Sequence, residues 1–234
     1  MLNRVQRYNK YFKYTTIISH YRANANSLAI KINLCEHNCI FLPKVLHISI
    51  ICRIFARNYV QGMKRIINPW RETPGYNCFG CSPDNPIGTR MRFFEDGDSI
   101  VSIWRPTQNH QSWLNTLHGG IQAVLLDEVC GWVVFHLLKT AGVTAKMEMR
   151  YIKPVSTLQD YIKLRAYLKE MRRNVAIVQG ELYGADGELL CECTCTYFTF
   201  PQDKAEQEFG YMPSSVESTD YTFEEALKDE RVKE

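Results

Sequence analysis

The stretch that most constrains this chain begins Leu117-His118-Gly119-Gly120-Ile121-Gln122-Ala123-Val124-Leu125-Leu126-Asp127-Glu128 and continues through apolar residues to Leu138. Its spacing predicts a helix from about Gly119 to Leu138 that is apolar on almost every side, so the fold must wrap around it. Ala141-Gly142 supplies the stop. Two features do not suit a purely structural helix. Gly at the start costs helix stability, and a carboxylate among Val, Leu, Trp and Phe must be solvated or paired. The chemistry is therefore sought here.

The flanking residues supply the wrapping. Thr89–Phe94 and Ser99–Trp104 read as strands joined across Glu95-Asp-Gly-Asp98, whose Asp-Gly supplies the positive φ of a tight hairpin. Pro106 ends the second strand, and a polar connection from Thr107 to Asn115 leads into the helix. After it, Val143–Lys153 (stopped by Pro154), Tyr161–Met171, Val175–Tyr183 and Glu188–Phe200 read as four more strands. In the first of these Ala145, Met147, Met149 and Tyr151 alternate with Lys146, Glu148 and Arg150. Short turns make the pairing antiparallel. The fold class is α+β: a strongly curved antiparallel sheet around one long central helix, in the order ββ-α-ββββ.

Charge divides the chain in three. Residues 1–62 carry a net +8, residues 63–200 a net +1 and residues 201–234 a net −6, so only the middle piece has the balanced surface of a globular domain. The acidic tail after Pro201 loses periodicity, although Thr222-Phe-Glu-Glu225 has capping-box spacing. The basic segment 1–62 shows neither a period of 2 nor one of 3.6. Three readings fit it: an extension upstream of a true start at Met63, which is preferred, an import presequence, or a nucleic-acid-binding arm.

Nine cysteines are an odd number, and Cys191, Cys193 and Cys195 share one strand face where pairing is awkward, which points to a reduced compartment. Val45–Phe55 is broken by His47, Cys52 and Arg53, and no membrane span is expected. The expected location is cytoplasmic, or the mitochondrial matrix if 1–62 is a presequence. Cys35-Glu-His-Asn-Cys39 and Cys78-Phe-Gly-Cys81 could each offer thiolates to zinc. A second well-spaced pair is missing from the globular part, so they read as reduced cysteines and no metal ligand is assigned.

Geometry restricts the chemistry further. At about 1.5 Å per residue, Asp127 lies about 12 Å along the axis from Gly119. One small reacting group cannot touch both in one chain. If the free N–H groups and dipole of the helix N-terminus polarise a carbonyl while the carboxylate supplies a base or nucleophile, two subunits must share each site. An obligate homodimer is therefore expected, with a homotetramer built as a dimer of dimers. Asp127 and Glu128 are adjacent and point apart, so at least one of them should be solvated or salt-bridged.

His118-Gly-Gly-Ile-Gln-Ala-Val-Leu-Leu-Asp127, followed by Val143-Thr-Ala-Lys-Met-Glu-Met-Arg-Tyr-Ile-Lys-Pro154, resembles the hotdog-fold acyl-CoA thioesterases, specifically the phenylacetate-pathway (4-hydroxybenzoyl-CoA thioesterase-like) type. The resemblance covers about residues 76–200. It implies hydrolysis of an acyl-CoA thioester to free acid and CoA, without a cofactor. Gly119 would polarise the carbonyl through its backbone N–H, and Asp127 of the partner subunit, chosen over Glu128 by register, would act as general base or nucleophile. His118 would hold the loop and the thioester end, in preference to the rival reading as a plain cap. Thr144 stands where relatives carry a Ser or Thr that assists the carboxylate or water.

Many relatives carry an Asn six residues before the His; Ser112 stands there in this chain, and Gln111, Ser112 or Asn115 would replace it in binding substrate beside Gly120. Arg172, Arg173 and Asn174 are the candidates for the phosphates of coenzyme A. Trp113 and Trp132 suit an aryl ring or a medium acyl chain. The runner-up is a non-catalytic acyl-CoA-binding hotdog module whose basic arm touches nucleic acid. A hotdog dehydratase or hydratase would need a His-Phe-Pro-type signature, which the chain lacks. The leading reading involves neither a membrane nor a nucleic-acid partner.

Overall fold

The computed structural model describes residues 62–231. The readings made on residues 1–61, including the Cys35–Cys39 half-site and Val45–Phe55, lie outside them. Eight strands form a single antiparallel sheet: β1 Met63–Ile67, β2 Phe94–Asp96, β3 Ser99–Trp104, β4 Gly142–Tyr151, β5 Ile162–Arg172, β6 Val175–Tyr183, β7 Leu189–Thr199 and β8 Ser215–Tyr221. Their order across the sheet is β4-β7-β6-β5-β3-β2-β1-β8. The curved antiparallel sheet with a central helix is the hotdog architecture that the sequence implied.

The central helix α1 spans Gly119–Trp132. His118 caps it: its backbone is extended at φ −60 and ψ 134, and its Nδ1 accepts the Gly120 N–H at 2.9 Å. Strands β3 to β7 all pack along α1. Leu125, Leu126, Val129 and Cys130 are completely buried. Each such aliphatic side chain stabilises the fold by about 1.5–3 kcal/mol relative to exposure. By length and composition Gly119–Leu137 would suffice to cross a membrane; here the sheet packs against it and about half of the stretch is buried.

The helix departs from expectation at its end. Regular α geometry stops at Trp132, and Val133–Leu137 form a π-helical turn closed by Leu138 N–H to Val133 O at 3.1 Å. That turn carries His136, which bonds Glu95 Oε2 and Ser214 Oγ, each at 2.7 Å, and so ties the helix end to the β2 hairpin.

Other expectations shift for tertiary reasons. Of Thr89–Phe94 only Phe94 joins a strand. Thr89 and Met91 instead donate their N–H groups to Phe79 O and Gly80 O, both at 2.8 Å, and pin the Cys78–Cys81 turn. Gly97 takes φ 62 at the β2–β3 turn as foreseen. Past Pro201 the acidic residues form α2 Gln202–Phe209, β8 and α3 Phe223–Arg231. Strand β8 pairs with β1, a union of two short half-polar segments that neither announces alone. Helix α3 starts on the expected capping box, with Glu225 Oε2 accepting the Thr222 N–H at 2.8 Å and Thr222 Oγ1 accepting the Glu225 N–H at 3.3 Å.

Among the described residues strand β4 is an edge of the sheet, and it carries a bulge. Thr144 pairs with Tyr197 but Lys146 pairs with Thr196, so Ala145 is the extra residue. Directly paired residues share a sheet face. Thr144 therefore joins Met147, Met149 and Tyr151 on the helix side, and Ala145, which simple alternation put there, is displaced.

Candidate functional site

Asp127 sits in the second half of α1, over β4 and β7. Thr144 Oγ1 donates to its Oδ1 at 3.0 Å. The Tyr197 hydroxyl lies 2.9 Å from the Asp127 carbonyl oxygen and 3.1 Å from Oδ1, and donates between them. Burial raises the Asp127 carboxyl above its ordinary pKa, while these two hydrogen bonds favour the charged form and hold the shift back. The carboxylate opens on a cavity of about 440 Å³ whose walls include Thr144, Tyr197, Trp132 and Phe135. Trp132 is thus cavity wall, whereas Trp113, 83% exposed, stands on the loop before the helix.

Glu128 faces the same cavity. It is half-buried and makes no salt bridge among the described residues. Trp132 Nε1 donates to its Oε1 at 3.2 Å, and Cys78 Sγ lies 3.8 Å from each carboxylate oxygen. A Cβ on Gly80 would collide with the carboxylate, so this approach requires glycine there. Burial first, and then the neighbouring Cys78, push Glu128 up to about 7. The Cys78 thiol is lowered to about 5, chiefly by a hydrogen bond from Cys81 and against its own burial, with the Cys81 and Gly80 backbone N–H groups assisting. Cys81 is raised correspondingly, by that bond to Cys78 and by burial.

The opposite end of α1 holds the other candidates. No acceptor among the described residues takes the Gly119 N–H. Tyr151 donates its hydroxyl to the Gly119 carbonyl at 3.0 Å and so braces the first turn from β4. The preceding loop is fixed by its own bonds: Ser112 N–H to Thr116 O at 2.8 Å, Asn115 N–H to Gln111 Oε1 at 3.1 Å, and Leu117 N–H to Val155 O at 2.8 Å. Asn115 adopts φ 58 to make that turn. His118, Gly119, Gly120, Gln111, Ser112 and Asn115 thus gather at one end of the helix, and Asp127 with Thr144 toward the other. The rise of the helix separates the two ends by about 12 Å.

Arg172 ends β5, and Arg173 and Asn174 form the β5–β6 turn. Asn174 O accepts the Thr199 N–H at 2.8 Å, and Val175 pairs with Phe198, so this turn lies at the Asp127 end of the sheet. Arg172 is engaged in a forked ion pair with exposed Glu170. A second cavity, of about 380 Å³, lies against β1, but its Arg65 and Arg92 are paired to Glu217 and Asp229.

Sequence reasoning missed Tyr197, Tyr151 and the Glu128 cluster. Tyr197 had a signal, because it continues the inward period-2 series Cys191, Cys193, Cys195 on β7. The Cys78–Glu128 contact had none, since it joins a turn to a helix 50 residues away.

Residues 114–191 match the family model of the thioesterase superfamily. No curated protein matches the chain. Among solved structures it is similar to a hypothetical thioesterase protein with coenzyme A from Streptococcus pneumoniae TIGR4, at 23% identity over 45% of this chain and 84% of that one, with a TM-score of 0.43. It is also similar to a thioesterase superfamily protein at 19% identity over 76% and 89% of the two chains, TM-score 0.49. Zebra fish thioesterase superfamily member 2 aligns at 18% identity over 54% and 88%, TM-score 0.45.

Proposed function

We propose, with the thioesterase-superfamily match as premise, that this protein hydrolyses acyl-CoA thioesters in a homodimer whose two sites are each built from both subunits. The observation that carries the reading is the helix itself. The Gly119 N–H, which no acceptor among the described residues takes, and the Asp127 carboxylate, on hydroxyl supports and opening on a cavity, lie too far apart in one chain to meet the same carbonyl.

In this reading the thioester oxygen sits at the Gly119 N–H, where the helix dipole stabilises the negative charge that develops as the carbonyl carbon becomes tetrahedral. Asp127 of the partner subunit takes a proton from water as the water oxygen bonds to that carbon. Collapse of the adduct breaks the C–S bond; the sulfur leaves as the CoA thiolate, and the acid carries the new oxygen. Direct attack by the carboxylate, followed by hydrolysis of the anhydride, uses the same geometry. Burial favours either role by raising the basicity of Asp127.

The dimer reading is supported by β4, which among the described residues leaves one edge of its ladder unpaired and exposes Val143 at 45% and Tyr151 at 53%. Such an edge is a template for a second strand. Asp127→Asn keeps the shape of the side chain and should lower kcat by about 10²–10⁴ across a panel of aliphatic and aryl acyl-CoA substrates. The dimer should remain intact. Near-wild-type hydrolysis of every responsive substrate would overturn the assignment.

A further inference from the structure

We propose that Cys78, Cys81 and Glu128 form a binding site for one thiophilic divalent cation, with zinc the best fit, on the wall of the Asp127 cavity. The inference does not rest on the hydrolase reading. It starts from a charge imbalance. The cavity is bordered by two carboxylates and two thiols, and among the described residues not one Lys, Arg or His lines it. Around the Glu128 oxygens stand Cys78 Sγ at 3.8 Å, the Trp132 N–H at 3.2 Å and the backbone of Gly80.

The donor set is that of a zinc site. Both Sγ atoms and a carboxylate oxygen lie within 4.8 Å of one another, a spread that small movements of the side chains close around one ion. Two thiolates and a carboxylate select zinc over magnesium or calcium, which take oxygen ligands only. The ligands are also held. Trp132 orients the carboxylate at 3.2 Å, and Tyr76 Oη lies 2.9 Å from Cys81 Sγ while accepting from Asn68 Nδ2 at 3.0 Å. Thr89 and Met91 fix the turn that carries both cysteines. Such outer partners are what an engineered or natural metal site needs around its ligands.

Three protein ligands leave a tetrahedral ion one position short, and here all three border a cavity that water can enter. The other thiol group, Cys130 with Cys193 and Cys195, is wholly buried in the apolar core and offers no carboxylate and no such opening.

The full chain, isolated under reductant without chelators and then equilibrated with zinc and desalted, should retain one equivalent of metal by mass spectrometry. Replacement by cobalt should give tetrahedral visible bands and a near-ultraviolet charge-transfer band of two-thiolate intensity. Cys78→Ser and Glu128→Gln should each lower retained metal at least tenfold with unchanged circular dichroism. Cys130→Ala and the paired change Cys35→Ser/Cys39→Ser should leave it unaltered. Absence of stoichiometric metal in the wild type would overturn the site, as would a Cys78–Cys81 disulfide in its place, or retention in the Cys78→Ser variant. The wild-type cobalt spectrum decides the matter even if a variant fails to fold.

Discussion

Mixing two inactive variants tests whether each site draws on two chains. Gly119→Pro removes the one N–H that the proposal needs. It does so gently, since proline favours the first helical position and His118 before it already holds φ −60 and ψ 134, the extended conformation that a following proline demands. A Cβ at Gly119 would meet only the Tyr151 ring at 3.4 Å, an ordinary contact. Loss of one oxyanion donor should cost about 10²–10³ in kcat, or roughly 3–4 kcal/mol. Asp127→Asn should cost about as much or more.

If equal amounts of the two variants are dissociated and reassociated at random, about half of the dimers contain one chain of each. In such a dimer one site receives both defects, whereas the other joins an intact Gly119 N–H to an intact Asp127. Activity should therefore recover to about one quarter of wild type, from nearly nothing in either parent. Steady-state hydrolysis before and after reassociation, with native mass spectrometry to count the mixed dimers, measures it. No recovery in a sample shown to contain mixed dimers would refute the composite site, and wild-type activity in Gly119→Pro would refute the oxyanion role.

Two further outcomes follow from single side chains. Thr144→Val deletes the donor 3.0 Å from Asp127 Oδ1 without changing shape, so the charged carboxylate loses support, its raised pKa rises further, and the acid limb of the kcat/KM profile should move to higher pH by up to about one unit; an unmoved limb would separate Asp127 from the rate. At the far end of the chain the Thr222 and Glu225 bonds lower the Glu225 pKa. A depressed folded-state pKa gives stability that is present above the unfolded carboxylate range and lost as pH falls through the folded value. Thr222→Ala should thus lower Tm by about 2–4 °C near pH 7, with the gap narrowing toward about pH 4, read by thermal melts.

The long elements were legible because each carries its own signal: α1 its unbroken apolar surface and His cap, β5 to β7 their length and alternation. Strands β1 and β8 carry none, being short segments that become strands only by pairing with each other. The site shows the same division. Asp127 could be chosen from register, but its support by Thr144 depends on the bulge at Ala145. Counting by twos from Met147 puts Thr144 with Lys146 and Glu148 on the outer face, and one inserted residue reverses that parity. The bulge is invisible to alternation because Ala145 suits either face.

Glu128 is the converse case. Adjacent helical residues point about 100° apart, so one of two neighbouring carboxylates ought to have reached solvent or a cation. The turn at Cys78–Cys81 folds over α1, held by Thr89 and Met91, and lines that direction with thiols and the narrow backbone of Gly80. A helix that sequence alone assigns one reactive acid therefore places two in one cavity. One acid stands on hydroxyl donors, and the other stands beside the two thiols with which we place a metal.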